Sequence, residues 1–165
     1  MEHKQLLTVF NSLPVGIGFF TADGTLVRCN ESFCRIFGAD SQTLLGNKLN
    51  INENSVVPDV VKEAVRRCVP VQMSFLYDFD KQRTDKRFFS TRTRTCYLKC
   101  NGNPLYDNDG KFVNYIFIFE DITETVKSEE VLRQSRRKTE LAMKAANIMF
   151  WEFDAVPKLF YSDNE

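Results

Sequence analysis

The stretch VGIGFFTADGTLVRCNESFCRIFG, residues 15–38, decides the fold. Val15 to Thr21 and Thr25 to Cys29 are apolar runs parted by Ala22-Asp23-Gly24. Asp and Gly accept the positive φ of a tight turn, so the spacing predicts two antiparallel strands joined as a hairpin. Asn30 then precedes Glu31 to Phe37, and Gly38 follows. An Asn side chain accepts hydrogen bonds from the orphan N–H groups of a first helical turn, and glycine supplies a left-handed stop, so a short helix is expected over 31–37.

Upstream, Leu6, Leu7, Phe10 and Leu13 recur at spacings near three and four. Residues 2–12 therefore read as an amphipathic helix that lies against the domain and ends before Pro14. Downstream, helical turns are expected at Ser41 to Leu45 and at Pro58 to Cys68. From Val71 the period changes to two, with Val71, Met73, Phe75, Tyr77 and Phe79 on one face of a half-buried strand. Phe88 to Cys100 and Lys111 to Glu120 read as two more strands, joined through Pro104 to Gly110 by the turn chemistry of Asp107-Asn108-Asp109-Gly110. Helices inserted between the second and third of five strands argue for an α+β fold, an antiparallel sheet with helices packed on one face, rather than alternating βαβ units.

After Asp121 the composition shifts to charged helix formers, Thr123 to Lys138, with Ile122, Val126, Val131 and Leu132 as a thin apolar seam. This is the pattern of a connector helix whose few apolar a/d positions need help from flanking domains to form a coiled coil. The sequence then repeats itself. At an offset of 133 residues, Val15, Ile17, Phe20, Ala22, Leu26 and Val27 fall on Ile148, Phe150, Phe153, Ala155, Leu159 and Phe160. The expected organisation is a flanking helix over 1–13, a sensor-type domain over 14–122, a connector helix over 123–146 and the start of a second copy over 147–165.

Composition bounds the partners. Hydrophobic residues make up 43% of the 165, fifteen of them Phe, enough for one sizeable core. Twenty-two basic residues balance twenty-two acidic ones, which removes the global attraction that nucleic-acid and anionic-membrane binders use. Five cysteines are an odd number, and the opening MEHKQLL lacks the apolar stretch of a signal peptide; reduced thiols in a cytoplasmic setting are expected. No apolar run approaches the ~18 residues of a bilayer span.

Several strings together resemble the PAS domain family over roughly residues 5–124. These are Leu26-Val27-Arg28-Cys29-Asn30-Glu31-Ser32-Phe33 with Phe37-Gly38, Leu44-Leu45-Gly46, Pro104 to Gly110, and Asp121-Ile122-Thr123. The resemblance implies a small pocket under a helical face and frequent homodimerisation through the flanking helices. It implies a sensory role with no catalysis in this chain, and a two-component histidine kinase as the parent whose downstream domains are the partners. It also carries onto Asp121, Ile122 and Thr123 the role of tying the last strand to the outgoing helix. No phosphoacceptor-helix histidine, ATP-binding asparagine box or glycine-rich lid is present in the sequence.

No cofactor is predicted. Haem in this family takes an axial histidine from a pocket helix, whereas the one histidine here is His3 and the 58–68 helix has none. Photoactive flavin relatives carry a reactive Cys ahead of a pocket helix, and residues 47–54 contain asparagines but no Cys. Inward periodicity nominates Phe19, Phe37, Leu45, Val61, Met73, Phe75 and Ile118 as pocket residues, with Ser90 and Asn101 as polar contacts. So apolar a set predicts a compact, mostly apolar ligand or none, a ligand-free dimerisation module being the alternative. The cysteines read as buried small hydrophobes rather than metal ligands, with Cys68 beside Arg66 and Arg67 the one suited to redox chemistry. Thr91 to Thr95, with Arg92 and Arg94, reads as a solvated sheet face or an interface with Glu120, Glu124 or the connector's acids, not a phosphate binder.

Overall fold

The computed structural model describes residues 2–82 and 90–145. The expected second copy over 147–165, and Phe88 and Phe89, lie outside the described residues. Two compact units divide between Val126 and Lys127.

In the first unit, α1 (Glu2–Ser12) precedes the hairpin β1 (Gly16–Phe20) and β2 (Leu26–Cys29). Three helices follow, α2 (Glu31–Phe37), α3 (Ser41–Gly46) and α4 (Asp59–Arg67), then β3 (Val71–Asp78), one turn of helix α5 (Phe79–Gln82), β4 (Thr95–Tyr106) and β5 (Phe112–Asp121). The five strands form one antiparallel sheet in the order β2-β1-β5-β4-β3. This is the α+β arrangement expected from the grouping of strands and helices. The last helix, α6 (Thr123–Ala145), begins in the first unit and has no buried residues.

The sequence-level reasons for these elements hold in detail. Gly24 takes φ 87° in the hairpin turn and Gly38 takes φ 64° as the left-handed cap of α2. Asn30 caps α2 by accepting from the Phe33 amide, and Asp40 caps α3 through the Thr43 amide. α2 packs on β1 and β5, α3 on β2 and α4 on β3. Between them lies an apolar core that includes Phe20, Phe33, Phe37, Val61, Tyr77, Leu98, Phe117 and Phe119. The other face of the sheet carries Phe19, whose ring meets Phe10 of α1 at 6.0 Å. Gly102 is required by close approach: a Cβ there would lie 2.7 Å from the Tyr115 ring.

Three strand boundaries differ from the sequence reading. β3 ends at Asp78, and Phe79, expected on its inward face, opens α5 instead and is buried from there. β4 begins at Thr95, and Ser90 to Arg94, expected within the strand, is irregular chain. Arg94 has φ 69°, which stops a pleated strand, and the Ser90, Thr91 and Arg92 polar groups bond to the end of α2 instead of to a neighbouring strand. At its far end β4 runs through Pro104 to Tyr106 rather than turning there. Pairing with β3 ends at Gly102, so at Pro104 the strand has β5 on one side alone, a position that proline's missing N–H permits.

Candidate functional site: an aromatic cavity and a latch at the last strand

A small cavity lies in the core. α2 supplies Phe33 and Phe37, α4 supplies Val61, and the α3–α4 segment supplies Leu49, Asn50, Ile51, Asn54 and Val57; Phe20, Phe75, Tyr77 and Phe119 close it from the sheet. The free volume is about 20 Å³, roughly what one water needs, so a larger guest must displace side chains. Rings fill the rest. Phe37 lies 4.5 Å from Phe33, 5.2 Å from Phe119 and 5.5 Å from Tyr77, the last two edge to face. Such pairs add about 0.5–1.5 kcal/mol each beyond area burial.

The polar feature of this wall is the Tyr77 hydroxyl, which accepts from the Asn54 amide at 2.9 Å, while the Asn54 carbonyl accepts from the Val56 N–H. Burial pushes the Tyr77 phenol well up despite the Asn54 bond, so it stays protonated.

Of the residues nominated from sequence, Phe37, Val61 and Phe75 line the cavity. Phe19, Asn101 and Ile118 lie on the opposite sheet face, because in β1 and β5 the inward phase belongs to Phe20 and to Tyr115, Phe117 and Phe119. Leu45 is exposed, Met73 packs at the core edge, and Ser90 is buried but donates to the Phe37 carbonyl at 2.7 Å. Phe20, Leu49, Ile51, Asn54, Tyr77 and Phe119 were not nominated. Tyr77 carried a signal in its alternation with Phe75, whereas Leu49 to Asn54 is irregular and has no period to betray it.

The second arrangement is a polar latch. Asp121 receives hydrogen bonds from the Thr123 amide at 3.1 Å and the Thr123 hydroxyl, and from the Arg92 guanidinium at 3.0 Å. The Thr123 hydroxyl oxygen accepts in turn from the Tyr97 amide, and the Ile122 amide donates to the Tyr97 carbonyl, each at 2.9 Å. Arg92 also donates to the Ile36 carbonyl at 2.9 Å and stands over the Phe79 ring. Ser90 and Thr91 hold the Phe37 and Gly38 carbonyls, so α2's end is bound by the same segment that binds Asp121. Arg92 thus pairs with Asp121, an acid the sequence reading did not name for it.

Burial works to raise the Asp121 carboxyl, but the Thr123 and Arg92 bonds outweigh it and hold the group below its usual 3.8. The sign follows: a depressed pKa contributes stability that is present above the unfolded value and lost as pH falls through the folded one. Acidification through that depressed pKa is therefore expected to release the latch, and the Thr123 amide's protection, taken relative to its intrinsic exchange rate at each pH, should be lower there than at pH 7. An Asp121→Asn variant, with no carboxylate to protonate, should show little such acid sensitivity at Thr123.

Cys96 and Cys100 face the core, and burial pushes their thiols up to about 11 and about 12. Arg66 and Arg67 are engaged with Glu63 rather than with Cys68. Among the described residues no three His, Cys, Asp or Glu side chains converge to hold a metal ion, and no helix is long and apolar enough to cross a membrane.

The family described as PAS fold matches residues 10–127. A probable diguanylate cyclase, DgcE of Escherichia coli (strain K12), is 22% identical over 149 residues, which is 90% of this chain and 13% of that protein. The chain thus spans a small part of the length of that relative. Among solved structures, an RNA-binding Light-Oxygen-Voltage receptor superposes with a TM-score of 0.61 at 17% identity, covering 85% of this chain and 38% of that one. A domain from a two-component sensor histidine kinase superposes with a TM-score of 0.54 at 14% identity, covering 73% and 96%.

Proposed function

The chain belongs to the PAS-fold family, a family of sensory modules in signalling proteins, and on that premise we propose that it relays the state of its aromatic cavity through the Arg92–Asp121–Thr123 latch to helix α6. The observation that carries this reading is the continuity of the hydrogen bonds. Phe37 lines the cavity, the carbonyls at its end of α2 are held by residues 90–92, and Arg92 holds the carboxylate that caps the start of α6. A guest that displaces Phe37 shifts the carbonyls Arg92 binds, and with them the geometry at Asp121. The latch is half-exposed, its Arg92 and Asp121 side chains 35% and 27% accessible, so breaking it costs little stability and changes mainly the coupling.

The guest that fits is small and largely apolar, with one acceptor for the Tyr77 hydroxyl. The parent is a longer signalling chain with a histidine kinase output, and the diguanylate cyclase relative supports cyclic-dinucleotide synthesis as the second class of output. Asp121→Ala and Thr123→Ala in the full-length parent are expected to keep the domain folded, within about 1 kcal/mol, while output ceases to follow the stimulus. Normal signalling by both variants would sink the relay.

A ligand-free module that dimerises through its flanking helices is the second reading. It is favoured by the nearly filled cavity and by the exposure of Leu6 and Val9 on α1 and of Val131, Leu132 and Leu141 on α6. Native mass spectrometry separates the two: a stoichiometric small molecule supports sensing, and a clean dimer mass supports the module.

A further inference from the structure

Cys29 and Cys34 flank the cap of α2. Asn30 is its N-cap, so the two cysteines occupy the residue before the cap and the fourth helical position, the pair that packs as a hydrophobic staple. Their sulfurs are 3.8 Å apart. Unlike Cys96 and Cys100, which are buried in the core, both are only partly buried. They line a surface cleft shared with Asn11, Glu31, Arg35 and Asp40.

We propose that Cys29 and Cys34 are a modification site: a dithiol that closes to an intramolecular disulfide by exchange with a small-molecule disulfide of the glutathione class. The thiolate of one cysteine attacks the reagent disulfide, bonding to one of its sulfurs and expelling the other as a thiolate. The second cysteine's thiolate then attacks that mixed disulfide, forming the Cys29–Cys34 bond and expelling the second reagent thiolate. Two protein thiols lose two electrons and two protons, and one reagent disulfide becomes two thiols.

Closing a bond of about 2.05 Å from 3.8 Å asks for side-chain rotation at two residues held near each other by the cap. The bond would enclose Asn30 in a short loop and turn a staple by contact into a covalent one. It would act on the helix that carries Phe33 and Phe37, an input distinct from any guest in the cavity. Burial pushes the Cys29 thiol up to about 12, and the neighbouring Cys34 adds to the rise. Cys34 is raised by its own burial, with Asp40 and Glu31 adding to the rise and its hydrogen bond to Cys29 opposing it. Exchange is therefore slow at neutral pH and faster as pH rises, with Arg35 the cation in the cleft.

The test treats the fully reduced chain with oxidised glutathione, removes the reagent, and counts thiols after denaturation. The five thiols should fall to three, with the lost pair mapped by peptide mass to Cys29–Cys34 and recovered by dithiothreitol. In Cys34→Ser the reaction should stop after its first step, leaving glutathione on Cys29. A count that stays at five overturns the proposal, as does a lost pair that maps elsewhere. Stable glutathione adducts on both residues of the unaltered chain would do the same.

Discussion

Replacing Asn30 by Ala is expected to destabilise the domain by about 3–5 kcal/mol, a large share of the stability of any domain this size. The side chain is 1% exposed and makes four hydrogen bonds. Its carbonyl oxygen accepts from the Ile17 and Phe33 amides at 2.8 and 2.9 Å, and its amide donates to the Phe10 and Val15 carbonyls at 3.0 and 2.9 Å. One amide group thus ties α1, β1 and α2 together. Alanine removes the cap, worth ~1 kcal/mol by itself, and strands further backbone groups in the interior at about 1–3 kcal/mol for each that water cannot reach. Asn30→Asp separates the two halves of the role. A carboxylate keeps both acceptances but buries a charge against the Phe10 and Val15 carbonyl oxygens instead of donating to them, so a loss at least as large as that of Asn30→Ala is expected at neutral pH. Urea unfolding reads this as a lowered midpoint at constant slope; a loss in Asn30→Ala of under about 1 kcal/mol would show that the four bonds do not act together.

Asn30 also marks how far the sequence could be read. Its role as a cap follows from local chemistry, an Asn ahead of a short apolar helix and a Gly behind it, and the same logic placed the hairpin and the period-two strand. Its two donations could not be read, because Phe10 and Val15 are brought there by the packing of α1, which no local period specifies. The relay shows the same division. Asp121 to Thr123 was legible as a string at the end of a strand, and the Thr123 amide bond is two residues in reach. Arg92 was not, since its partner is 29 residues away and the alternation of Thr91 to Thr95 imitates a strand that the positive φ of Arg94 interrupts. In the strands, the nominations that lie off the cavity on the opposite sheet face differ by phase. A half-turn in β1 exchanges Phe19 for Phe20, and with two adjacent phenylalanines the pattern offers no choice between them.

The cavity itself is best tested by making it larger. Phe37→Ala is expected to cost about 3–5 kcal/mol, the usual range for a buried Phe truncation, because the ring is 8% exposed and touches Phe33, Tyr77 and Phe119. The walls left behind are mostly aromatic and aliphatic, with the Tyr77 hydroxyl and Asn54 already bonded to each other, so the new space should accept an apolar guest. Benzene is expected to raise the unfolding midpoint of Phe37→Ala, recovering about 2.7 kcal/mol at a hundred times its dissociation constant, and to leave the unaltered chain, with some 20 Å³ free, nearly unchanged. Phenol should stabilise the variant through its apolar ring, and any excess over benzene that vanishes in Phe37→Ala/Tyr77→Phe reports the Tyr77 hydroxyl. Equal stabilisation of variant and parent by benzene would place the binding elsewhere and remove Phe37 from the path between guest and latch. If the variant alone responds, the same guest becomes a switchable input: added to a full-length parent carrying Phe37→Ala, it should alter output, and should cease to do so when Asp121→Ala is introduced alongside.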